Sequence, residues 1–233
     1  MERADQRELL ARGSLRVEGW VPGSSNQALV LRVRAGGDEV LACYKAERAE
    51  RALTDFPPGL WRREVAAERL AARLGLDLVP ATVGRDDGPL GPGSLQWWVE
   101  ATEDTFFTLR EDPAHRAALV DLAAFDVVAN NADRKGGHVL FDGTRLYGID
   151  HGLCFHPHDK LRTVIWDYAG ERLEPAWAER LARLEGCAEL RAWLDAREVA
   201  ATAQRARALA ASLVLPEPDL ERSWPPPYPW PLV

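Results

Sequence analysis

The feature that most limits how this chain can fold lies at residues 130–152. There an apolar helical pattern stops in the polar run Asn130-Asn131-Ala132-Asp133-Arg134-Lys135-Gly136-Gly137-His138. Two short apolar runs follow, 139–141 and 146–149, with Asp142-Gly143 between them, and the second ends in Asp150-His151-Gly152. An Asp-Gly pair between two such runs signals a hairpin, and a short hairpin returns its ends to one place. Asp133, just before it, and Asp150, just after it, are therefore expected to face one small volume. Paired carboxylates there suit transfer of a phosphoryl group from a nucleoside triphosphate. One positions or deprotonates an acceptor hydroxyl, and the other holds the magnesium that screens phosphate charge.

The preceding residues read as a strand-rich segment with one helix. Residues 14–20 alternate, 27–34 place Leu29, Leu31 and Val33 on one face, and 39–45 place Leu41, Cys43 and Lys45 on one face. A lysine ending an apolar strand costs free energy unless it is paired or reaches solvent. The tip Ser24-Ser25-Asn26 can offer hydroxyls and backbone N–H groups to phosphate oxygens, although on this segment alone an ordinary hairpin turn is the better account. Residues 60–74 carry a helical stripe of Ala66, Ala67, Leu70, Ala71 and Leu74, closed by Gly75. Glu64 lies on the edge of that stripe, and Glu68 about 40° further toward solvent.

Strands are expected at 79–83 and 95–100, separated by an exposed Gly/Pro-rich turn at 84–93. The polar residues 101–104 then form a hinge, where backbone groups near Glu100 could bond an adenine edge. A helix over 113–130 contains Asp126, which either braces the 130–138 loop or sits on the surface. Helical patterning at 175–215 has a charged face expected to be solvated. Proline fixes residues 223–233 as an extended segment that packs in cis, clamps the cleft or binds a partner.

The 130–152 stretch resembles the catalytic core of the phosphatidylinositol 3-/4-kinase-like branch of the protein-kinase-like fold. That pattern is Asp-Arg-His-x-x-Asn, a hairpin, then Asp-x-Gly. Asp133 with Arg134, Asp150 with Gly152, and the lead-in Asn131-x-Asp133 all match. Lys135 stands where the family has histidine, and His138 where it has the metal-binding asparagine. The resemblance implies an α+β, two-lobed fold: an N-terminal antiparallel sheet with one helix over 1–100, and a mainly helical lobe over 101–233. It implies ATP as donor, with Lys45 on its phosphates and a helix glutamate, Glu64 before Glu68, orienting Lys45. Asp133 and Lys135 would be catalytic. Ser24, Ser25, Asn26 and Glu100 would join Lys45 and Glu64 in binding ATP, and Asp150 with His138 would hold the metal. Imidazole is a softer ligand than an amide oxygen, so manganese as well as magnesium, and a weakly active pseudokinase as well as a kinase, stay open. The acceptor is expected to be a protein or a small hydroxylated molecule.

Composition narrows the partners. The 233 residues have a formal net charge of −7, which argues against nucleic acid or an anionic membrane as the main partner. Cys43, Cys154 and Cys187 are scattered and form no metal-ligand pair, as expected in a reducing cytoplasm. No apolar run reaches the ~18 residues of a membrane span, and no signal peptide is expected. Of 29 basic residues only Lys45, Lys135 and Lys160 are lysines, each near a position where the kinase-like pattern wants a compact charge on phosphate. A metal hydrolase built on Asp133, His138, Asp150 and His151 would leave Lys45 and Glu64 unexplained.

Overall fold

Period-two alternation in three apolar runs builds the sheet around which the N-terminal part is organised. The computed structural model describes residues 1–24, 27–221 and 226–233. In it β1 (Ser14–Trp20), β2 (Leu29–Ala35), β3 (Asp38–Ala46), β4 (Thr82–Gly88) and β5 (Gly91–Trp97) pair antiparallel in the order β1-β2-β3-β5-β4. Leu29, Leu31 and Val33 of β2 and Ala42, Tyr44 and Ala46 of β3 turn into one core. Because side chains alternate, Leu41, Cys43 and Lys45 take the opposite face.

The run 84–93, expected as an exposed turn, is instead strand over most of its length, with only a tight turn at Pro89-Leu90, after which Gly91 opens β5 with φ +92°. The glycines serve packing. A Cβ on Gly88 or Gly93 would run into the ring of Tyr44, so their absence of side chain lets that aromatic cross the hairpin.

A helix that the sequence pattern did not announce, α1 (Arg3–Arg12), covers this core with the buried Leu9 and Leu10. Tertiary contacts supply what periodicity lacks: Arg3 pairs with Asp77, and Arg85 donates to the carbonyls of Leu10 and Gly13 at 2.9 and 3.0 Å. Helix α2 (Leu60–Leu74) ends at Gly75 in the left-handed conformation, as the sequence suggests. Its N-terminus is held by Glu50, whose carboxylate accepts from Gly59 N and Trp61 N, both at 2.8 Å.

The remaining helices are α3 (Phe106–Leu109), α4 (Arg116–Ala129), α5 (Ala176–Ala182) and α6 (Ala196–Ser212). They share one core with α2, through residues such as Leu70, Leu74, Leu122, Phe125, Trp177 and Leu209. The charged face expected to be solvated at 175–215 is not wholly so. Glu198 on α6 is buried against Arg63 of α2, tying the helical part to the sheet-bearing part. The short hairpin β6 (Val139–Phe141) and β7 (Leu146–Gly148) forms as read, with Asp142 accepting from Thr144 N and Arg145 N at 2.8 Å in its turn. Among the described residues no helix is long and apolar enough to cross a membrane.

Candidate active site

Helix α4 ends at Asn130, which adopts the left-handed conformation (φ +54°), and so releases the chain into the loop that carries Asp133. A buried ion pair fixes this loop. Arg134 is fully buried and donates through Nε and Nη2 to Asp126, both at 2.9 Å, and through Nη1 to the carbonyl of Ile149 at 2.7 Å. Asn131 donates to Asp126 at 3.0 Å and accepts from Asp133 N at 3.0 Å. Asp126 is therefore a brace and not a surface residue. Arg134 couples helix, loop and hairpin end through one guanidinium, whose rigid fork of donors suits such a junction.

The hairpin returns the chain to the loop, and Asp150 follows it with φ +61°, a region aspartate tolerates better than most residues. Lys45 reaches across from β3, donating to Asp150 Oδ1 at 2.8 Å and pairing with Glu64 of α2. The other oxygen of Glu64 accepts from His151 N at 2.9 Å, so this one carboxylate ties the lysine to the Asp-x-Gly backbone. Glu68, expected nearer solvent, is fully buried and pairs with Arg7 and Arg69, because α1 covers that side of α2. Glu64 is the partner of Lys45.

Asp133, Asp150, Lys45 and Glu64 line one cavity of about 200 Å³, together with Glu50, Leu53, Leu60 and Leu153. Lys135 Nζ lies 3.3 Å from Asp133 Oδ2. His138 Nδ1 is 3.0 Å from the carbonyl of Asp133, and its Nε2 is 3.3 Å from Asp150 Oδ2.

Electrostatics separate the two aspartates. Burial raises the pKa of Asp133 above the usual carboxylate range, with the Lys135 ammonium opposing it. The Lys45 charge holds Asp150 below that range, against the effect of burial. Burial opposes the charge on Lys45, but Asp150 and Glu64 outweigh it and raise its pKa. Burial lowers His138 to about 4, so its imidazole is neutral at pH 7. His151 is pushed well down by burial and by Arg134, whose Nη2 donates to its Nε2 at 2.8 Å. A carboxylate of raised pKa and a second one held anionic beside a lysine form an arrangement able to handle a proton and a polyanion at one place.

The other residues singled out by sequence fall elsewhere. Ser24 Oγ accepts from Ala28 N at 3.1 Å, while Ser25 and Asn26 lie outside the described residues. Glu100 is exposed and lines a separate depression with Arg3, Asp142, Arg145 and Tyr147. Lys160 is committed to Asp55 at 2.9 Å. Lys160 is thus paired apart from Lys45 and Lys135, which lie beside Asp150 and Asp133. Glu50, which caps α2, carries no sequence signal beyond its place ahead of Gly59 and an apolar helix start. Beyond the cavity His158 N donates to His156 Nδ1 at 3.1 Å. Among the described residues no cluster of three or more metal-ligating side chains occurs.

Solved structures place this architecture. The chain superposes on the Golgi casein kinase with Mn/ADP bound at a TM-score of 0.58, with 14% identity over 91% of this chain and 75% of that one. It superposes on the structure of hydra Fam20 with sugar at 0.55, with 14% identity over 88% and 86%, and on the Helicobacter pylori proinflammatory kinase CtkA at 0.50, with 11% identity over 88% and 94%. At such identities the likeness is one of fold: the chain has a protein-kinase-like fold. No family model matches the sequence. Protein Rv2133c of Mycobacterium tuberculosis, strain ATCC 25618 / H37Rv, is 36% identical over 275 residues, covering 98% of this chain and 96% of that protein. The chain belongs to the family of Rv2133c.

Proposed function

We propose that the chain is an ATP-dependent kinase that transfers the γ-phosphoryl group to a hydroxyl of a protein or a small molecule. The observation that carries this reading is Lys45, held by Glu64 from one side and by Asp150 from the other, in the same cavity as Asp133. Lys45 offsets phosphate charge. Asp133 orients the acceptor hydroxyl and takes its proton, and its raised pKa suits a base that must release that proton again. Lys135 lies beside Asp133, where it offsets charge on the transferring group.

The donor set fits a hard divalent ion. The Asp150 side chain keeps 44% of its exposure, and its carboxylate oxygens suit magnesium or manganese. His138, neutral and adjacent, would be the second protein ligand. Such an ion, when bound, neutralises charge between the β- and γ-phosphates. The Golgi casein kinase structure, with Mn/ADP, supports a nucleotide and a divalent metal for this fold. The Asp133-Arg134, Asn131 and Asp150-x-Gly152 matches support the finer placement beside the phosphatidylinositol 3-/4-kinase-like branch, with lobes divided near residue 100.

One observation favours a second reading, nucleotide binding without transfer: His138, standing where the resembling pattern has asparagine, lies with Nδ1 3.0 Å from the Asp133 carbonyl. Incubation with γ-labelled ATP, either metal and fractionated host lysate separates the two. Label moving to an acceptor, and lost in Asp133→Asn, supports the kinase. Metal-dependent nucleotide binding with no label transferred supports the second reading.

A further inference from the structure

The loop between Asp133 and His138 is held from inside by Arg134, but its middle is held from outside by the far end of the chain. Gly136 N donates to the carbonyl of Leu232 at 2.7 Å. Gly136 itself is buried, and a Cβ there would stand 2.6 Å from the Phe107 ring and 3.4 Å from the Leu232 oxygen. Val233 Cγ1 lies 3.8 Å from the corresponding position of Gly137. Five residues earlier the same segment is anchored again: the carbonyl of Pro227 accepts from Thr163 N at 3.1 Å and from Trp166 Nε1 at 2.8 Å. Thr163 is in turn bridged to Arg134, with Arg134 N donating to Arg162 O at 3.0 Å and Val164 N to Arg134 O at 3.1 Å.

Residues 226–233 thus touch both flanks of one unit, the loop that carries Asp133 and the 162–166 segment laid beside it. The chemistry of the segment suits this task. Pro226, Pro227, Pro229 and Pro231 lack N–H groups, so the segment offers carbonyl acceptors to donors of the loop and little to a further strand. Proline also fixes φ in the unbound chain, which lowers the entropy lost on docking. Pro227 and Pro229 are buried, while Trp230 keeps 86% of its exposure, so the contact runs through backbone and proline rings. Without Leu232 the buried Gly136 N–H has no other acceptor among the described residues, and a buried, unpaired backbone donor is costly.

We propose that residues 226–233 are a positioning strap that fixes the Asp133-bearing loop in cis. The kinetic part of this inference rests on the phosphotransferase reading of the site; the docking part does not. The test compares the full chain with one lacking Leu232 and Val233, and with Trp166→Phe, which removes the indole donor to Pro227. Amide hydrogen exchange is read at Gly136, Thr163 and α4, and ATP turnover is read with magnesium or manganese. Losing Leu232 and Val233 should speed exchange at Gly136 by about a hundredfold, leaving α4 amides unchanged as proof of an intact fold. Turnover should fall about tenfold with the KM for ATP within about twofold, and an excess of a peptide of residues 226–233 should restore it. Trp166→Phe should speed exchange at Thr163 and leave Gly136 protected. Unchanged exchange at Gly136 would overturn the strap. So would a rise in turnover, which would make the segment a block on the acceptor's path, or a change confined to KM, which would make it a wall of the nucleotide site. Should the full chain turn over no ATP, the phosphotransferase reading falls and the strap stands or falls on the exchange at Gly136.

Discussion

At the scale of single residues, Lys45 is the side chain on which most of the site converges, since it meets Glu64 and Asp150 at once. Replacing it with alanine should lower phosphoryl transfer by about two decades, the usual worth of one well-placed charge, while circular dichroism shows the fold retained. Asp126→Asn should act on stability instead. It leaves Arg134 buried without an anionic partner, and breaking a buried pair costs about 3–5 kcal/mol, readable from the urea midpoint. His138 gives a pH signature. Its folded pKa, about 4, lies below the unfolded 6.5, so between these values the unfolded chain binds more protons. Stability therefore rises with pH across that window and is lost on acidification, by up to about 3 kcal/mol in the metal-free chain. His138→Asn should flatten the profile of Tm against pH over that window; an unchanged slope would place the titration elsewhere.

At the scale of elements, α2 is pinned from three sides. Glu64 faces the site, Glu68 meets Arg7 of α1, and Arg63 meets Glu198 of α6. A helix so held keeps Glu64 against Lys45 without an external signal. Glu198→Ala should cost about 3 kcal/mol by leaving Arg63 buried and unpaired, and should lower turnover because Glu64 loses its register; Glu198→Gln should recover part of both. This is also where sequence and structure part company. The faces of β3 and α2, and hence Lys45 and Glu64, were legible because side-chain period and apolar stripe are local properties. The hairpin, Asp133 and Asp150 were legible from the Asp142-Gly143 turn and the residue spacing. Helix α1 was not, because only Leu9 and Leu10 anchor it and its pairings to Asp77 and Glu68 are long-range. Ion pairs such as Arg63 with Glu198 or Lys160 with Asp55 leave no periodic trace, so charges that look solvated in the sequence turn out to be buried or spent. The glycines of 84–93 point to a loop for a related reason: Gly88 and Gly93 admit Tyr44, which lies on another strand.

At the scale of the whole molecule, the sheet with α1 and α2 supplies the lysine and its partner, and the helical part with its hairpin supplies both aspartates. The arrangement depends on contacts that cross between them. A ligand that binds only this folded assembly stabilises it, so ADP with manganese at about 100 times its Kd should add about 2.7 kcal/mol and raise Tm. Lys45→Ala should abolish most of that shift. Whether Asp133 and Asp150 act in one phosphoryl-transfer site, as proposed, is read most directly from the fate of the γ-phosphate. With labelled ATP, manganese or magnesium and a fractionated lysate, the wild-type chain should label an acceptor. Asp133→Asn should do so about a hundredfold more slowly, with metal–ADP affinity within about threefold of wild type. Undiminished labelling by Asp133→Asn, or nucleotide that fails to bind the wild-type chain with either metal, would contradict it.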